Sequence, residues 1–231
     1  FIVFLAYAQS DTLPVVILPD VQIQVERSRY KLEFMKETDA VYLTTGKKTQ
    51  VISPGAGGED LSGCNARQLF SRVPGMMVWE NDGSGLQMGV ATRGLSPNRS
   101  WEFNVRQNGS DIAPDVFGYP ESYYTPPVEA ILRVELIKGA ASLQYGPQFG
   151  GLMNYVIKDG SGTERFFYEG RQSGGSFGLV NTYNALGGQL KRLKYYGFIH
   201  HRRADGWRQN SKYQTTSGYV SAHWDFSDQW S

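Results

Sequence analysis

The stretch that decides the fold runs from residue 131 to residue 158 and reads ILRVELIKGAASLQYGPQFGGLMNYVIK. Its first apolar run, 134–137, predicts a short buried strand that ends at Gly139. A second apolar run, 152–157, follows Gly150-Gly151 and predicts another strand. Glycine is favoured where the backbone takes a positive φ or approaches another backbone closely. The pattern predicts two strands around a glycine-rich connection, although patterning alone also fits a strand-turn-strand unit of another β protein.

A short helix is predicted upstream, at residues 65–75, which read NARQLFSRVPG. Its apolar residues lie on one side, and Pro74-Gly75 ends it. A strand at 76–79, a polar loop and a strand at 86–92 follow, and the second strand leads into Arg93-Gly94. This order of helix, strands and glycine-rich segment is more specific than any one of its parts.

In this order the segments resemble the plug of a TonB-dependent outer-membrane receptor. The resemblance to such a receptor extends from about Leu18 to the last residue. Where members of that family usually carry an Asp-Gly turn, this chain has Asn108-Gly109, itself a strong hairpin signal. The strand before the turn, 101–105, is more polar than usual, which puts its burial in doubt. The resemblance implies an α+β plug domain, a small mixed sheet with short helices, followed by the first antiparallel strands of a transmembrane β-barrel.

The sequence divides into four segments. Residues 1–8 are interpreted as the tail of a secretory signal peptide, because an apolar run ends in an Ala-x-Ala pattern; a buried N-terminal strand is the alternative. Residues 9–45 form an N-terminal segment, residues 46–160 the plug, and residues 161–231 the first four barrel strands. The opening run lacks an initiator Met, so we expect a truncated chain.

The barrel strands are predicted from alternation. Residues 215–226 alternate, and the apolar face carries Val220, Ala222, Trp224 and Phe226. Similar strands are predicted at 165–171, 178–189 and 194–203, joined by alternating short and longer connections, as in outer-membrane barrels. Because four strands cannot close such a barrel, we expect this to be the front of a larger one, 22 strands in this family. A soluble antiparallel sheet, complete within this chain, would show the same alternation with its apolar face in a protein core.

Composition argues against several other classes. The formal net charge is +1, and without a basic stripe there is no case for nucleic acid. Cys64 permits no internal disulfide and is interpreted as a small hydrophobe. The histidines His200, His201 and His223 lack the spacing of a zinc helix, and residues 139–146 lack the Lys-Ser/Thr of a phosphate loop. We therefore expect no enzyme activity, resident cofactor or bound metal.

The resemblance implies active uptake of a ferric chelate, a siderophore or ferric citrate, across the outer membrane of a Gram-negative bacterium, with the plug gating a lipid-embedded barrel. A TonB-type periplasmic energy-coupling protein would be the partner. Such a partner captures an extended segment, the TonB box, as an added strand. The segment that resembles it comprises Leu18, Pro19, Asp20, Val21, Gln22, Ile23, Gln24 and Val25, although an ordinary edge strand would also alternate in this way.

The family members that the plug resembles most are ferric citrate receptors, through residues 79–85 and 119–127. In them, outward plug loops form the floor of the ligand site, which implies Asn81, Arg99, Tyr119, Glu121 and Tyr123 here. An arginine suits ligand carboxylates, but an arginine in a polar loop is often only solvated. Alternative ligands are another siderophore, haem or cobalamin. The alternative class of protein is an adhesin or a secreted binding module.

The resemblance also implies charged contacts between the plug and the barrel. A charge enclosed there needs a partner or costs several kcal/mol. The residues in these positions are Arg93, Glu135 and Lys138, and a surface role is the alternative for Arg93.

Overall fold

The computed structural model describes residues 32–33, 35, 38–39, 42–43, 49–54, 66–70, 73–80, 84–85, 87–113, 123–139 and 149–226. The strands are β1 (Leu32–Glu33), β2 (Thr38–Asp39), β3 (Tyr42–Leu43), β4 (Thr49–Ile52), β5 (Met76–Glu80), β6 (Met88–Thr92), β7 (Phe103–Gln107), β8 (Ser110–Asp111), β9 (Ile131–Lys138), β10 (Gly151–Ile157), β11 (Phe167–Gly175), β12 (Leu179–Leu190), β13 (Leu193–Ala204) and β14 (Tyr213–Trp224). Helical structure in the described ranges comprises α1 (Ala66–Phe70) and 3₁₀ turns at Asn98–Ser100 and Val128–Ala130. None of the helices in those ranges is long and apolar enough to cross a membrane.

A mixed six-stranded sheet forms the centre of the first part of the chain, in the order β1-β4-β9-β10-β7-β8. β9 and β10 pair antiparallel, while β7 runs parallel to β10. Val134 and Leu136 are fully buried, as the apolar run of β9 predicts. The small mixed sheet predicted from the sequence is confirmed.

The glycines between β9 and β10 bring three backbone segments together. Gly139 has a φ of 81° and Gly151 a φ of 131°, both in the region that favours glycine. A Cβ on Gly150 would lie 2.5 Å from the carbonyl oxygen of Glu102. The Gly150 N–H donates to that same oxygen at 2.7 Å, and the Thr92 hydroxyl donates to the Gly150 carbonyl. The glycine pattern therefore serves close backbone approach, as predicted.

The polar strand β7 is buried despite its composition. Phe103 and Val105 are almost fully enclosed, and Asn104 is satisfied because its Nδ2 donates to Asp111 at 3.2 Å and its Oδ1 accepts from Arg106 at 2.8 Å. A buried polar side chain with its hydrogen bonds made costs little. Residues 103–105 of the predicted strand 101–105 are therefore buried, whereas Trp101 is 56% exposed and β7 begins only at Phe103. Asn108-Gly109, both at positive φ, makes the predicted turn into β8.

The second part of the chain is a four-stranded antiparallel sheet in the order β11-β12-β13-β14. All four strands overlap their predicted ranges, but β11 begins two residues later than the predicted 165–171 and continues to Gly175, where a loop was expected. β14 begins at Tyr213, two positions earlier than the predicted residue 215, and ends at Trp224. We call the end with connections 176–178 and 205–212 the loop end, and the end with connection 191–192 the turn end.

The two faces of this four-stranded sheet differ. The inner face carries Tyr183, Ala185, Tyr196 and Phe198, which belong to the same hydrophobic cluster as the core of the six-stranded sheet. The outer face points away from that core, and there Val220 is 84% and Trp224 57% exposed. A soluble sheet would bury the apolar face of β14, so its exposure favours the barrel interpretation over a soluble one.

Candidate ligand cavity

A cavity of about 620 Å³ lies at the loop end, between the β5–β6 hairpin and the four-stranded sheet. Helix α1 contributes Arg67, β5 contributes residues 78–80, and the rest of the lining comes from the two loop-end connections and the strand ends beside them. The cavity therefore lies where helix α1 and the two-stranded β5–β6 hairpin meet the four-stranded sheet.

The cavity has a basic and aromatic lining. Among the described residues of the lining, the charged ones are Arg67, Arg202, Arg208 and Glu80, and the aromatic ones are Trp79, Phe177, Trp207 and Tyr213. The Arg208 guanidinium lies 4.2 Å from the Trp207 ring centroid, and the Arg202 guanidinium 5.7 Å from that of Tyr213. Guanidinium groups bind carboxylates in a planar fork, and aromatic rings supply flat apolar surface beside them. This arrangement suits an anionic ligand with flat or apolar parts.

Local hydrogen bonds fix the loops that carry these side chains. The Ser211 hydroxyl donates to the Arg208 carbonyl at 2.6 Å and accepts from the Arg208 N–H at 3.1 Å. Gly206, at a φ of 75°, closes the same loop against Ser211, where a Cβ would not fit. The Asp205 N–H donates to the Phe177 carbonyl at 2.8 Å, which joins the two loop-end connections. The cavity rim is thus preorganised.

Arg202 also holds the hairpin against the four-stranded sheet. It lies on the inner face, only 8% exposed, and its Nη1 donates to the carbonyl of Ser84 at 2.8 Å. A charged hydrogen bond in a buried place is among the stronger polar contacts. Ser84 belongs to the connection between β5 and β6, so this bond anchors the hairpin tip at the edge of the cavity.

Two further contacts join the first part of the chain to the inner face of the four-stranded sheet. The Asn108 Nδ2 donates to the Tyr219 hydroxyl at 2.9 Å. The Lys158 ammonium forms an ion pair of 2.9 Å with Glu169 near the turn end. Polar contacts therefore flank the apolar interface between the two sheets.

Of the residues predicted from the sequence to bind ligand, the two that the structure describes, Arg99 and Tyr123, do not line this cavity. Arg99 lies in a 3₁₀ turn at a φ of 56°, with its guanidinium 5.9 Å from the Trp101 ring centroid, and it does not line the cavity. Tyr123 is 46% exposed. Asn81, Tyr119 and Glu121 lie outside the described residues, as do the TonB-box segment 18–25 and Cys64. Their roles stay predictions.

The three charges predicted to face the barrel have partners within the first part of the chain. Glu135, with a side chain 13% exposed, accepts from Arg133 at 2.8 Å and from Asn154 at 2.9 Å. Lys138 donates to the Pro74 carbonyl at 2.7 Å, and the Arg93 guanidinium lies against Gly139 with its Nη2 3.4 Å from the Lys138 carbonyl. Burial, and then the nearby Arg93 charge, lower the pKa of Lys138. A contact of these side chains with a barrel stays a prediction.

Sequence reasoning missed Arg67, Arg202, Trp207 and Arg208. The alternation of β13 placed Arg202 and Arg203 on opposite faces, but each face also carries aromatic residues. Nothing in that pattern alone says which arginine turns inward. Across the described ranges, no group of three or more His, Cys, Asp and Glu could hold a metal ion.

Comparison with known proteins agrees with this fold. Residues 45–152 match the family model described as TonB-dependent Receptor Plug Domain. No curated protein matches the sequence.

Solved structures match a larger part of the chain. The pyoverdine outer membrane receptor FpvA from Pseudomonas aeruginosa PAO1 bound to pyoverdine is 18% identical with a TM-score of 0.65, over 87% of this chain and 29% of that one. The copper transporter OprC is 17% identical with a TM-score of 0.57, over 83% and 29%. The ferric citrate transporter FecA in the unliganded form is 21% identical with a TM-score of 0.53, over 76% and 28%.

These identities show the fold alone, and this chain spans less than a third of the length of each of these receptors. The plug match and the structural matches together cover both sheets. The chain therefore has the fold of a TonB-dependent receptor plug domain followed by antiparallel strands that resemble the start of such a receptor's barrel.

Proposed function

We propose that this chain is part of a TonB-dependent receptor that imports a ferric chelate across the outer membrane of a Gram-negative bacterium. The observation that carries the proposal is the orientation of the four-stranded sheet. Its inner face shares a core with the plug, while Val220, Ile199 and Trp224 are exposed on the outer face. A sheet between a plug and lipid needs this arrangement, because lipid replaces the second core.

The cavity at the loop end supports an anionic ligand. Among the described residues that line it, three are arginines and one is a glutamate, and guanidinium groups pair well with the carboxylates of a ferric chelate. Ferric citrate is the first candidate, and the alternative surface for it is the plug floor implied by the resemblance, with Asn81, Arg99, Tyr119, Glu121 and Tyr123.

Energy coupling is proposed to pass through residues 18–25, captured as a strand by a TonB-type periplasmic protein. Arg93, Glu135 and Lys138 are proposed to lie where the plug meets the rest of the barrel. Deletion of residues 18–25 from the intact protein should abolish uptake of the chelate and leave its binding at the cell surface unchanged. Normal uptake after the deletion would contradict the assignment of this segment.

Calorimetric titration of the purified intact protein with ferric citrate tests the ligand. Arg208→Gln should weaken binding about tenfold to a hundredfold, the range for loss of a hydrogen bond to a charged group. Lys191→Gln, which removes an equal charge from the turn end, is the matched control and should bind as the unmodified protein does. Arg99→Ala distinguishes the loop-end cavity from the plug floor implied by the resemblance. A loss of affinity for ferric citrate in this variant would support the plug floor as the binding surface.

The other outcomes of the titration also discriminate. Tight binding of haem, cobalamin or another siderophore, without a response to ferric citrate, would support the transport function and contradict ferric citrate as its substrate. Binding of no chelate, together with an absence of uptake, would favour an adhesin or secreted binding module.

A further inference from the structure

The outer face of the four-stranded sheet is not a smooth apolar surface. It carries an apolar trough of about 390 Å³ whose side walls include Tyr168, Leu186, Tyr195, Ile199, Val220 and Ala222. None of these side chains is charged. The trough opens on the side of the sheet that would contact lipid under the proposed function.

A glycine forms the floor of the trough. Gly197 lies on the same face of β13 as Tyr195 and Ile199, because side chains two apart on a strand share a face. Its cross-strand partners are Leu186 on β12 and Val220 on β14. Gly197 has no side chain, so the four larger neighbours surround a gap about one residue wide.

A basic side chain stands beyond the trough on the same face. Arg203 is four residues from Ile199 along β13, which places it about 13 Å closer to the loop end at roughly 3.3 Å per residue. Its cross-strand neighbours are Val180 and Gln214, neither of them charged. Between Arg203 and the trough, His201 shares a hydrogen bond of 2.8 Å with the hydroxyl of Thr216.

Within the part of the chain that the structure describes, Arg203 has no ion-pair partner. The nearest acidic residue along the chain, Asp205, lies in the loop and pairs with Lys212 at 3.4 Å. A charged side chain on a lipid-facing surface is costly unless it reaches the interface and meets an opposite charge there. Lipid headgroups with phosphate provide that charge, and a guanidinium pairs with phosphate in a bidentate fork.

We propose that this outer face is a binding site for one lipid with an anionic phosphate headgroup, whose acyl chain lies in the trough and whose phosphate pairs with Arg203. The proposal rests on the proposed function, since it needs the outer face to lie in a membrane. Charge complementarity selects this occupant over a second copy of the chain, because two such faces in contact would bring like charges together.

Native mass spectrometry of the intact protein, released from membranes in detergent, tests the site. The probes are phosphatidylglycerol and phosphatidylcholine with identical acyl chains, which differ in net charge. The unmodified protein should retain phosphatidylglycerol preferentially. Arg203→Gln should reduce that preference about fivefold, the effect expected for one basic residue near an anionic headgroup.

Two further variants separate charge from chain contact. Arg171→Gln removes a charge from the inner face of the same sheet and should leave the preference unchanged. Ala222→Phe fills the trough and should lower the retention of both lipids without changing their ratio.

Equal retention of the two lipids by the unmodified protein, or an unchanged preference in Arg203→Gln, would overturn the site. Dimers without bound lipid would instead assign the face to a second copy and would overturn it too. If the protein fractionates with the outer membrane in these cases, the proposed function survives. A protein found outside the membrane would overturn both proposals.

Discussion

The six-stranded sheet and the four-stranded sheet bury their strands in different ways. In β10, neighbouring residues such as Leu152 and Met153 point to opposite faces, yet both are fully buried. In β14, Tyr219 packs against the core while its neighbour Val220 is 84% exposed. A continuous apolar run therefore marks a strand enclosed by protein on both faces, whereas alternation with the apolar side outward fits the position between protein and lipid that we propose for β14.

The largest effect is expected in the doubly buried sheet. Leu136→Ala should destabilise the plug by about 2–5 kcal/mol, because it removes a fully buried side chain and leaves a cavity. Hydrogen exchange of the plug amides in the intact protein measures the loss. Leu132→Ala, on the same strand but 47% exposed, is the control and should cost much less. Equal losses of stability in the two variants would contradict the full burial of Leu136.

The second-largest effect is expected from a charge introduced on the outer face of the four-stranded sheet. Val220→Arg should lower the stability of the protein folded into bilayers by about 2–4 kcal/mol if this position lies near the bilayer midplane. Gln214→Arg, on the same face near the loop end, should cost only about 0–1 kcal/mol, as expected near the interface. Denaturant titration in liposomes measures both. If Val220→Arg is as harmless as Gln214→Arg, the outer face does not contact lipid.

The smallest effect concerns the join between the sheets. Tyr219→Phe removes the hydrogen bond from Asn108 and should weaken plug docking by about 0.5–1.5 kcal/mol, seen as faster exchange of plug amides. Tyr168→Phe removes a comparable bond to Asn184 on the outer face and should leave plug exchange unchanged. The same change in both variants would show that the bond to Asn108 does not hold the plug.

Local signals made much of this fold predictable. The structure agrees with the prediction of positive φ and close backbone approach at Gly139 and Gly151, because both conditions exclude other residues. The four strands of the second sheet were found because alternation needs only neighbouring residues. The burial of β7 was doubted because hydropathy ignores the hydrogen bonds that Asn104 makes with Asp111 and Arg106.

The cavity could not be predicted in this way. Its arginines come from α1, β13 and the 205–212 connection, and no motif links segments so far apart in the chain. Only packing brings them together. The resemblance to ferric citrate receptors implies Arg99 as a ligand residue, but Arg99 does not line this cavity.

We propose that the outer face of β11–β14 contacts lipid while the inner face contacts the plug. Single cysteines at positions 218 to 222, in a background without other cysteines, can carry nitroxide labels on the intact protein in liposomes. Collision with oxygen, which concentrates in lipid, and with a water-soluble nickel chelate is then measured at each position. The account predicts high oxygen access at 218, 220 and 222 and low access to both reagents at 219 and 221. Strong nickel access at 220, or no alternation along the strand, would contradict it.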